Sequence, residues 1–146
     1  MTGEPAFCVC VPARNEERRL PVLLAALAAQ DLQSRISVAL CINNSTDGSL
    51  PQAQAAADRW KDRLDIVVDL QTFPEHRAHA GAARRAAMSV GLEHLGDRSN
   101  GVLISTDADT RPPPNWLSAN LAAIADGADL VGGRLVLDEA EPISAD

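Results

Sequence analysis

Short apolar runs alternate with longer segments of helical period along this chain, and this alternation limits the folds that it can adopt. Strands that alternate with helices over short connections form a parallel sheet with helices on both faces. We therefore predict an α/β fold with a mostly parallel sheet flanked by helices. The predicted strands are residues 7–11, 36–42, 66–70, 102–105 and 129–137, and the predicted helices are residues 16–30, 50–64, 81–95 and 115–125.

Three polar loops directly follow predicted strands. They comprise residues 12–16 after the first strand, residues 43–47 after the second and residues 107–109 after the fourth. Right-handed crossovers bring the C-terminal ends of parallel strands to one edge of the sheet, where ligands bind. We therefore expect the three loops to meet at one site.

Asp107 and Asp109 flank the small residue Ala108 just beyond the fourth predicted strand. Two carboxylates at this spacing on a turn can approach one cation, and Ala108 leaves room for a ligand. Mg2+ and Mn2+ take oxygen ligands and often complete their coordination with substrate phosphates. Alternatively, the two aspartates are solvated turn residues that cap the helix predicted to begin at residue 115. Their position at the sheet edge favours a divalent-metal site.

Four segments carry a more specific signal when they are taken together. They are Val-Pro-Ala-Arg-Asn-Glu-Glu at 11–17, Asn-Asn-Ser-Thr-Asp-Gly-Ser at 43–49, Gly-Ala-Ala-Arg-Arg at 81–85 and Asp-Ala-Asp at 107–109. In order and spacing they resemble the motifs of family 2 glycosyltransferases, which have the Rossmann-like GT-A fold of nucleotide-diphospho-sugar transferases. The resemblance implies a donor-binding domain over residues 1–137. Residues 138–146 lack periodicity and are predicted to form a mobile tail.

The resemblance also implies which residues form the nucleotide pocket. The loop after the first strand would line that pocket, and the loop after the second would lie near the base and ribose. The family commonly has a pair of aspartates where this chain has two asparagines, whose amides can still hydrogen-bond a nucleobase edge. The residues implied are Pro12, Ala13, Glu16, Asn43, Asn44 and Asp47.

The remaining implied site residues lie on the third helix and after the fourth strand. Arg84 and Arg85 match the family's helix motif, with Arg85 standing where Asn is usual. Taken alone, both arginines are equally well explained as a solvated helix face. The resemblance places Asp107 and Ala108 beside the nucleotide sugar, with Asp107 contacting the ribose or a metal-bound water, and makes Asp109 the metal ligand.

The activity implied by the resemblance is transfer of a sugar from a UDP- or GDP-sugar to an unidentified acceptor, with inversion at the anomeric carbon. Mn2+ or Mg2+ is the implied cofactor, because negative charge develops on the departing diphosphate. A carboxylate would act as the general base. In the family this base lies downstream of the fifth strand, and Glu139 and Glu141 come too soon to match it. We therefore expect dependence on a downstream domain or another polypeptide, or a homo-oligomer.

Composition argues against several other partners. The formal net charge of −7 disfavours binding to nucleic acid or anionic lipid, and a chain with no Tyr and two Trp offers few platforms for stacking bases. No signal peptide is apparent, and no apolar stretch approaches the ~20 residues of a membrane helix. Cys8, Cys10 and Cys41 are expected to be buried thiols in a reducing compartment. We therefore predict a cytoplasmic protein.

Three other functions share parts of this pattern. A sugar nucleotidyltransferase would have a glycine-rich basic loop after the first strand, where residues 12–16 contain no glycine. A haloacid-dehalogenase-like phosphatase would carry its aspartates after the first strand rather than the fourth. A non-catalytic nucleotide-sugar-binding module stays open, because the general base is not identified.

Overall fold

The computed structural model describes residues 4–139, in which four parallel strands form one sheet. The sheet confirms the predicted α/β architecture. Its strands are β1 (Phe7–Ala13), β2 (Ile36–Asn43), β3 (Leu64–Gln71) and β4 (Val102–Ser105), and their order in the sheet is β3-β2-β1-β4. The helices are α1 (Leu20–Ala28), α2 (Ser49–Arg59), α3 (Ala80–Leu95) and α4 (Trp116–Ala125), with a 3-10 turn at Glu75–Arg77.

The two faces of the sheet are packed by different kinds of side chain. β1 is buried along its whole length, so successive residues alternate between the two faces. On one face, Val9 and Val11 join a core of leucine and isoleucine side chains from β2, α1 and α4. On the other face, small residues of α3 pack against Cys8 and Cys10.

The close approach of α3 to the sheet depends on Gly91. A β-carbon at this position would lie 2.6 Å from the Cys10 sulfur and 3.2 Å from a Leu103 methyl carbon. A side chain there would force Cys10 and Leu103 to shift, so the glycine allows α3 to lie directly on β1 and β4. This packing fixes where the N-terminal half of α3, which carries Arg84, meets the edge of the sheet.

The three cysteines are buried free thiols, as the sequence predicts. Burial, together with the negative charge of Asp69, raises the pKa of Cys41 to about 11. A hydrogen bond with Cys8 and burial raise the pKa of Cys10. Cys10 and Cys41 are therefore neutral packing groups at physiological pH.

Several element boundaries differ from the prediction. α2 ends at Arg59 rather than residue 64, and β3 begins at Leu64, where the sequence predicts the last residue of that helix. β1 continues through Pro12, where the sequence predicts its end. β4 pairs with β1 only as far as Cys10, so β1 has a partner on one side alone at Pro12, and proline is tolerated there. α1 begins at Leu20 rather than residue 16, and its first turn contains Pro21, where proline is tolerated.

The predicted fifth strand is wrong. Residues 129–137 form neither strand nor helix, and Leu130, Leu135 and Leu137 are largely exposed. An apolar run becomes a strand only where another strand completes its hydrogen bonds, and none of the four described strands pairs with this segment. The predicted mobile tail, residues 138–146, lies from residue 140 onward outside the described residues, as does Glu141.

Among residues 4–139, no helix has the length and apolar character needed to cross a membrane. The cytoplasmic location stays a prediction.

Candidate functional site

A cleft of about 320 Å³ opens at the C-terminal edge of the sheet, where β1, β2 and β4 end. Its volume lies in the range of small-molecule sites. The polar loops after these three strands meet there, as the topology of a parallel sheet predicts. Eight of the sequence-predicted site residues line the cleft: Pro12, Ala13, Glu16, Asn43, Arg84, Asp107, Ala108 and Asp109.

The charged groups of the cleft leave its lining negative. Arg14 and Arg84 bring two positive charges, and Glu16, Asp107 and Asp109 bring three negative ones. Among these carboxylates and guanidinium groups, one negative charge is in excess. An anionic ligand such as a diphosphate is therefore repelled unless a cation enters with it.

Asp107 and Asp109 lie on a turn whose shape is set by its threonines. The Thr110 hydroxyl donates to the Asp107 carbonyl over 2.7 Å, and the Thr106 and Thr110 hydroxyls lie 2.8 Å apart. Ala108 is buried between the two aspartates, which are both exposed. The turn therefore directs its small residue inward and leaves the two carboxylates accessible.

Arg84 connects α3 to this turn. Its Nη2 donates to Asp107 Oδ1, and both side chains are about half exposed. The Nε–H of Arg84 is buried and has no hydrogen-bond partner within residues 4–139. Arg85 lies on the exposed side of α3 and is not part of the cleft lining. The helix therefore directs one of its two neighbouring arginines to the site.

The two aspartates are the carboxylates of this turn that would hold a metal ion. Within the described part of the chain, no group of three or more His, Cys, Asp or Glu side chains is arranged to hold a metal ion. Mg2+ and similar ions are often bound by one or two carboxylates, with substrate phosphates and water as the other ligands. Asp107 and Asp109 fit that mode of binding and do not fit a cage made of protein ligands alone.

Asn15 joins the loop after β1 to the loop after β2. Its backbone N–H donates to Ser45 Oγ over 3.0 Å, and its Oδ1 accepts from the backbone N–H of Thr46 over 2.8 Å. Its φ of 53° is in the left-handed region, which asparagine adopts more readily than most residues. The two loops are therefore held together beside the cleft.

Asp47 lies outside the cleft lining, and its carboxylate is occupied by hydrogen bonds. It accepts from the backbone N–H of Ser49 over 3.0 Å, from the Ser49 hydroxyl over 2.6 Å and from the backbone N–H of Glu17 over 3.2 Å. The bond from the Ser49 hydroxyl, with smaller contributions from backbone N–H groups, lowers the pKa of Asp47. The structure does not bring this carboxylate together with the other predicted site residues.

Asn44 also lies outside the lining and binds the chain after β3. Its Oδ1 accepts from the backbone N–H of Phe73 over 3.0 Å, and its Nδ2 donates to the Phe73 carbonyl over 2.9 Å. Its φ of 48° is again in the left-handed region. Asn44 therefore fixes the start of the segment that leads to Ala78 and His79, which line the cleft.

Sequence reasoning missed five residues of the lining: Arg14, Ala78, His79, Ala80 and Ala83. Arg14 donates from Nη1 to the Ala78 carbonyl over 3.0 Å and so joins two parts of the cleft lining. His79 Nδ1 accepts from the backbone N–H of Ala82 over 3.2 Å and caps α3. Histidine is not among the residues that favour an N-cap, so the sequence around residue 79 does not signal this cap.

The sequence profile of glycosyl transferase family 2 matches residues 8–143, which is most of the chain. The match includes every residue that lines the cleft.

Several bacterial proteins that share one name with each other are similar to this chain. An undecaprenyl-phosphate 4-deoxy-4-formamido-L-arabinose transferase of Pseudomonas fluorescens is 31% identical over 127 residues, which are 85% of this chain and 34% of the relative. The protein of that name from Pseudomonas aeruginosa is 32% identical over 127 residues, with the same coverage of 85% and 34%. The chain therefore spans about a third of the length of the curated relatives it matches.

Solved structures of S. aureus TarS share the fold. TarS residues 1–349 superpose with a TM-score of 0.60 at 22% identity, covering 91% of this chain and 38% of that TarS chain. The complex of TarS 1–349 with UDP gives a TM-score of 0.62 at 22% identity, with the same coverage of 91% and 38%. This likeness establishes the GT-A fold that the sequence motifs imply. Because the family profile matches residues 8–143 of the chain, the chain belongs to glycosyl transferase family 2.

Proposed function

We propose that this chain forms the donor-binding part of a glycosyltransferase that takes a sugar from a nucleoside diphosphate, with UDP-sugars as the first donors to test. The observation that carries the proposal is the meeting of Arg84, Asp107 and Asp109 in one cleft at the C-terminal edge of the sheet. A solved neighbour of the same fold forms a complex with UDP, which supports uracil as the base of the donor.

A divalent cation, Mn2+ or Mg2+, is the proposed cofactor. Asp109 would be its ligand from this chain, with Asp107 as a second ligand or as a contact to the ribose or a metal-bound water. The bound ion supplies positive charge that offsets the negative charge developing on the diphosphate as the sugar leaves. The negative lining supports this proposal, because two further positive charges reverse the sign of the cleft and make it attractive to a diphosphate.

The chain's own residues hold and orient the donor. The side of the cleft at the ends of β1 and β2 provides the proposed contacts for the nucleoside, which are Pro12, Ala13, Glu16 and Asn43. Arg84 lies beside Asp107 with a buried N–H that lacks a partner in the described structure, so a modest rearrangement toward a phosphate oxygen would satisfy it. Direct displacement by the acceptor would invert the anomeric carbon.

The acceptor and the general base are not identified by these residues. Glu139 is exposed at the end of the described chain and outside the cleft lining. The relatives named above are undecaprenyl-phosphate 4-deoxy-4-formamido-L-arabinose transferases, so a polyprenyl phosphate is the acceptor class to assay first.

Calorimetric titration with UDP, in MnCl2 and then in EDTA, tests the proposal. We expect binding in Mn2+ that is lost in EDTA, is abolished in Asp109→Ala and is weakened less in Asp107→Asn. GDP titrated in parallel tests the base. Asp126→Ala is the matched control, because Asp126 is exposed at the end of α4 and lies outside the cleft. Equal binding by the wild type and Asp109→Ala would remove the metal role.

A further inference from the structure

The position of Glu16 in the cleft depends on a buried hydroxyl. The backbone N–H of Glu16 donates to Ser49 Oγ over 2.9 Å, and Ser49 is fully buried at the start of α2. The same Ser49 hydroxyl donates to Asp47 Oδ1 over 2.6 Å. A hydroxyl has one hydrogen to donate, so the bond to Asp47 orients it and leaves an oxygen lone pair facing Glu16.

The neighbouring residue is held by a reciprocal pair of hydrogen bonds. The backbone N–H of Glu17 donates to Asp47 Oδ2 over 3.2 Å, and Glu17 Oε2 accepts from the backbone N–H of Gly48 over 2.8 Å. Each loop thus offers a carboxylate to the backbone of the other. Asp47 is bonded to the loop that contains Glu16 both directly, at Glu17, and through Ser49.

We propose that Asp47 is a positioning residue of the donor site, which fixes the place of Glu16 in the cleft and does not itself contact the nucleotide. This inference rests on the proposed donor-binding function. It follows from the geometry, because the Asp47 carboxylate faces three donors of the protein and is absent from the cleft lining, whereas Glu16 is part of that lining.

Asp47→Asn separates the two tasks of this carboxylate. The retained Oδ1 can still accept both bonds from Ser49, so the start of α2 stays capped. The new Nδ2 faces the Glu17 N–H, and two donors cannot pair. The variant therefore breaks the direct link between the loops while sparing the helix. Asp58→Asn, on the exposed surface of α2, makes the same change of charge and serves as the control.

The test is a double-mutant cycle on UDP affinity in Mn2+, with Asp47→Asn, Glu16→Ala and the double variant, at a temperature where all are folded. We expect Asp47→Asn to weaken UDP binding about three- to tenfold, as for the loss of one hydrogen bond, while Asp58→Asn binds like the wild type. In the Glu16→Ala background, Asp47→Asn should have no further effect. A structural role without positioning would not produce that dependence on Glu16.

Three results would overturn the inference: wild-type affinity in Asp47→Asn, an equal loss in both backgrounds, or no loss in Glu16→Ala itself. Glu17→Ala weakens the connection between the two loops from the loop after β1, and it replaces Asp47→Asn in the test if that variant is unfolded. It removes the bond to Gly48 and should weaken UDP binding only when Glu16 is present. A wild type that does not bind UDP would instead overturn the proposed donor site.

Discussion

The two sides of the cleft are held in different ways. On the side of β1 and β2, the loops are joined by hydrogen bonds in which the side chains of Asn15, Glu17 and Asp47 are all occupied. On the side of β4, Asp109 makes no hydrogen bond or ion pair within residues 4–139, and the carboxylate of Asp107 meets Arg84. The comparison indicates that hydrogen bonds on the side of β1 and β2 shape the cleft, whereas the side of β4 keeps charged groups available for a ligand.

After the loss of binding expected for Asp109→Ala, the largest expected effect is also on the side of β4, at Arg84. At saturating Mn2+, we expect Arg84→Gln to weaken UDP binding about 10- to 100-fold, because a charge-assisted contact to phosphate is lost. The variant should unfold at nearly the wild-type temperature, since the arginine is about half exposed. Calorimetric titration and a melting curve on the same preparation measure the two effects.

Arg85→Gln is the matched control for this prediction. It removes the same charge from the same helix, one residue away, on the exposed side of α3. We expect near-wild-type affinity. Equal losses in the two variants would mean that only the overall charge of α3 matters, and the division between the two sides of the cleft would fail.

The next effect is on the side of β1 and β2, at Asn44, and it concerns the free energy of unfolding. Asn44→Ala removes both hydrogen bonds to Phe73 and places alanine at a φ of 48°, so we expect a loss of about 2 kcal/mol in the free energy of unfolding. Urea denaturation measures it. Asn44→Gly loses the same hydrogen bonds without the backbone strain and should be less destabilised. A glycine variant no more stable than the alanine variant would contradict this account.

These contacts also show which parts of the site could be predicted from sequence. The strands, the edge of the sheet and the Asp107–Asp109 turn follow from local patterns, since apolar runs and turn residues are local signals. The roles of Asn44 and Asp47 were not accessible in that way. Their side chains are bound by Phe73 and Glu17, about 30 residues away in the sequence, and only the folded structure brings these partners together.

The wrong strand prediction for residues 129–137 has the same cause, which is the dependence of structure on partners distant in the sequence. The apolar pattern of that segment is what a buried strand would have, yet a strand also needs a neighbour, and the pattern does not reveal whether one is available. Gly91 gives the opposite case. It weakens the helical pattern of α3, and only its contact with Cys10 explains why a glycine is needed there.

A smaller effect is expected at Gly91, which sets the distance between α3 and the sheet. Gly91→Ala should lower the free energy of unfolding by about 1 kcal/mol, because overpacking against Cys10 outweighs the better helix propensity of alanine. Urea denaturation again measures the change. Adding Cys10→Ala makes room for the new methyl group, so the second substitution should cost less in this background than in the wild type. Additive effects would show that the contact is not the cause.

The smallest effect is the pH dependence of stability that comes from Asp47, on the side of β1 and β2. Hydrogen bonds from Ser49 and Glu17 lower its pKa in the folded protein, whereas an unfolded aspartate has a pKa of about 3.9. A lowered acid pKa stabilises the fold above the unfolded value, and this contribution is lost as the pH falls through the folded value. The melting temperatures of the wild type and Asp47→Asn should therefore differ at pH 7 and converge below about pH 4. The Asp58→Asn control should follow the wild type throughout. A gap that persists at low pH would mean that the asparagine disturbs the loops by its shape, and the ionised carboxylate would then not be what joins them.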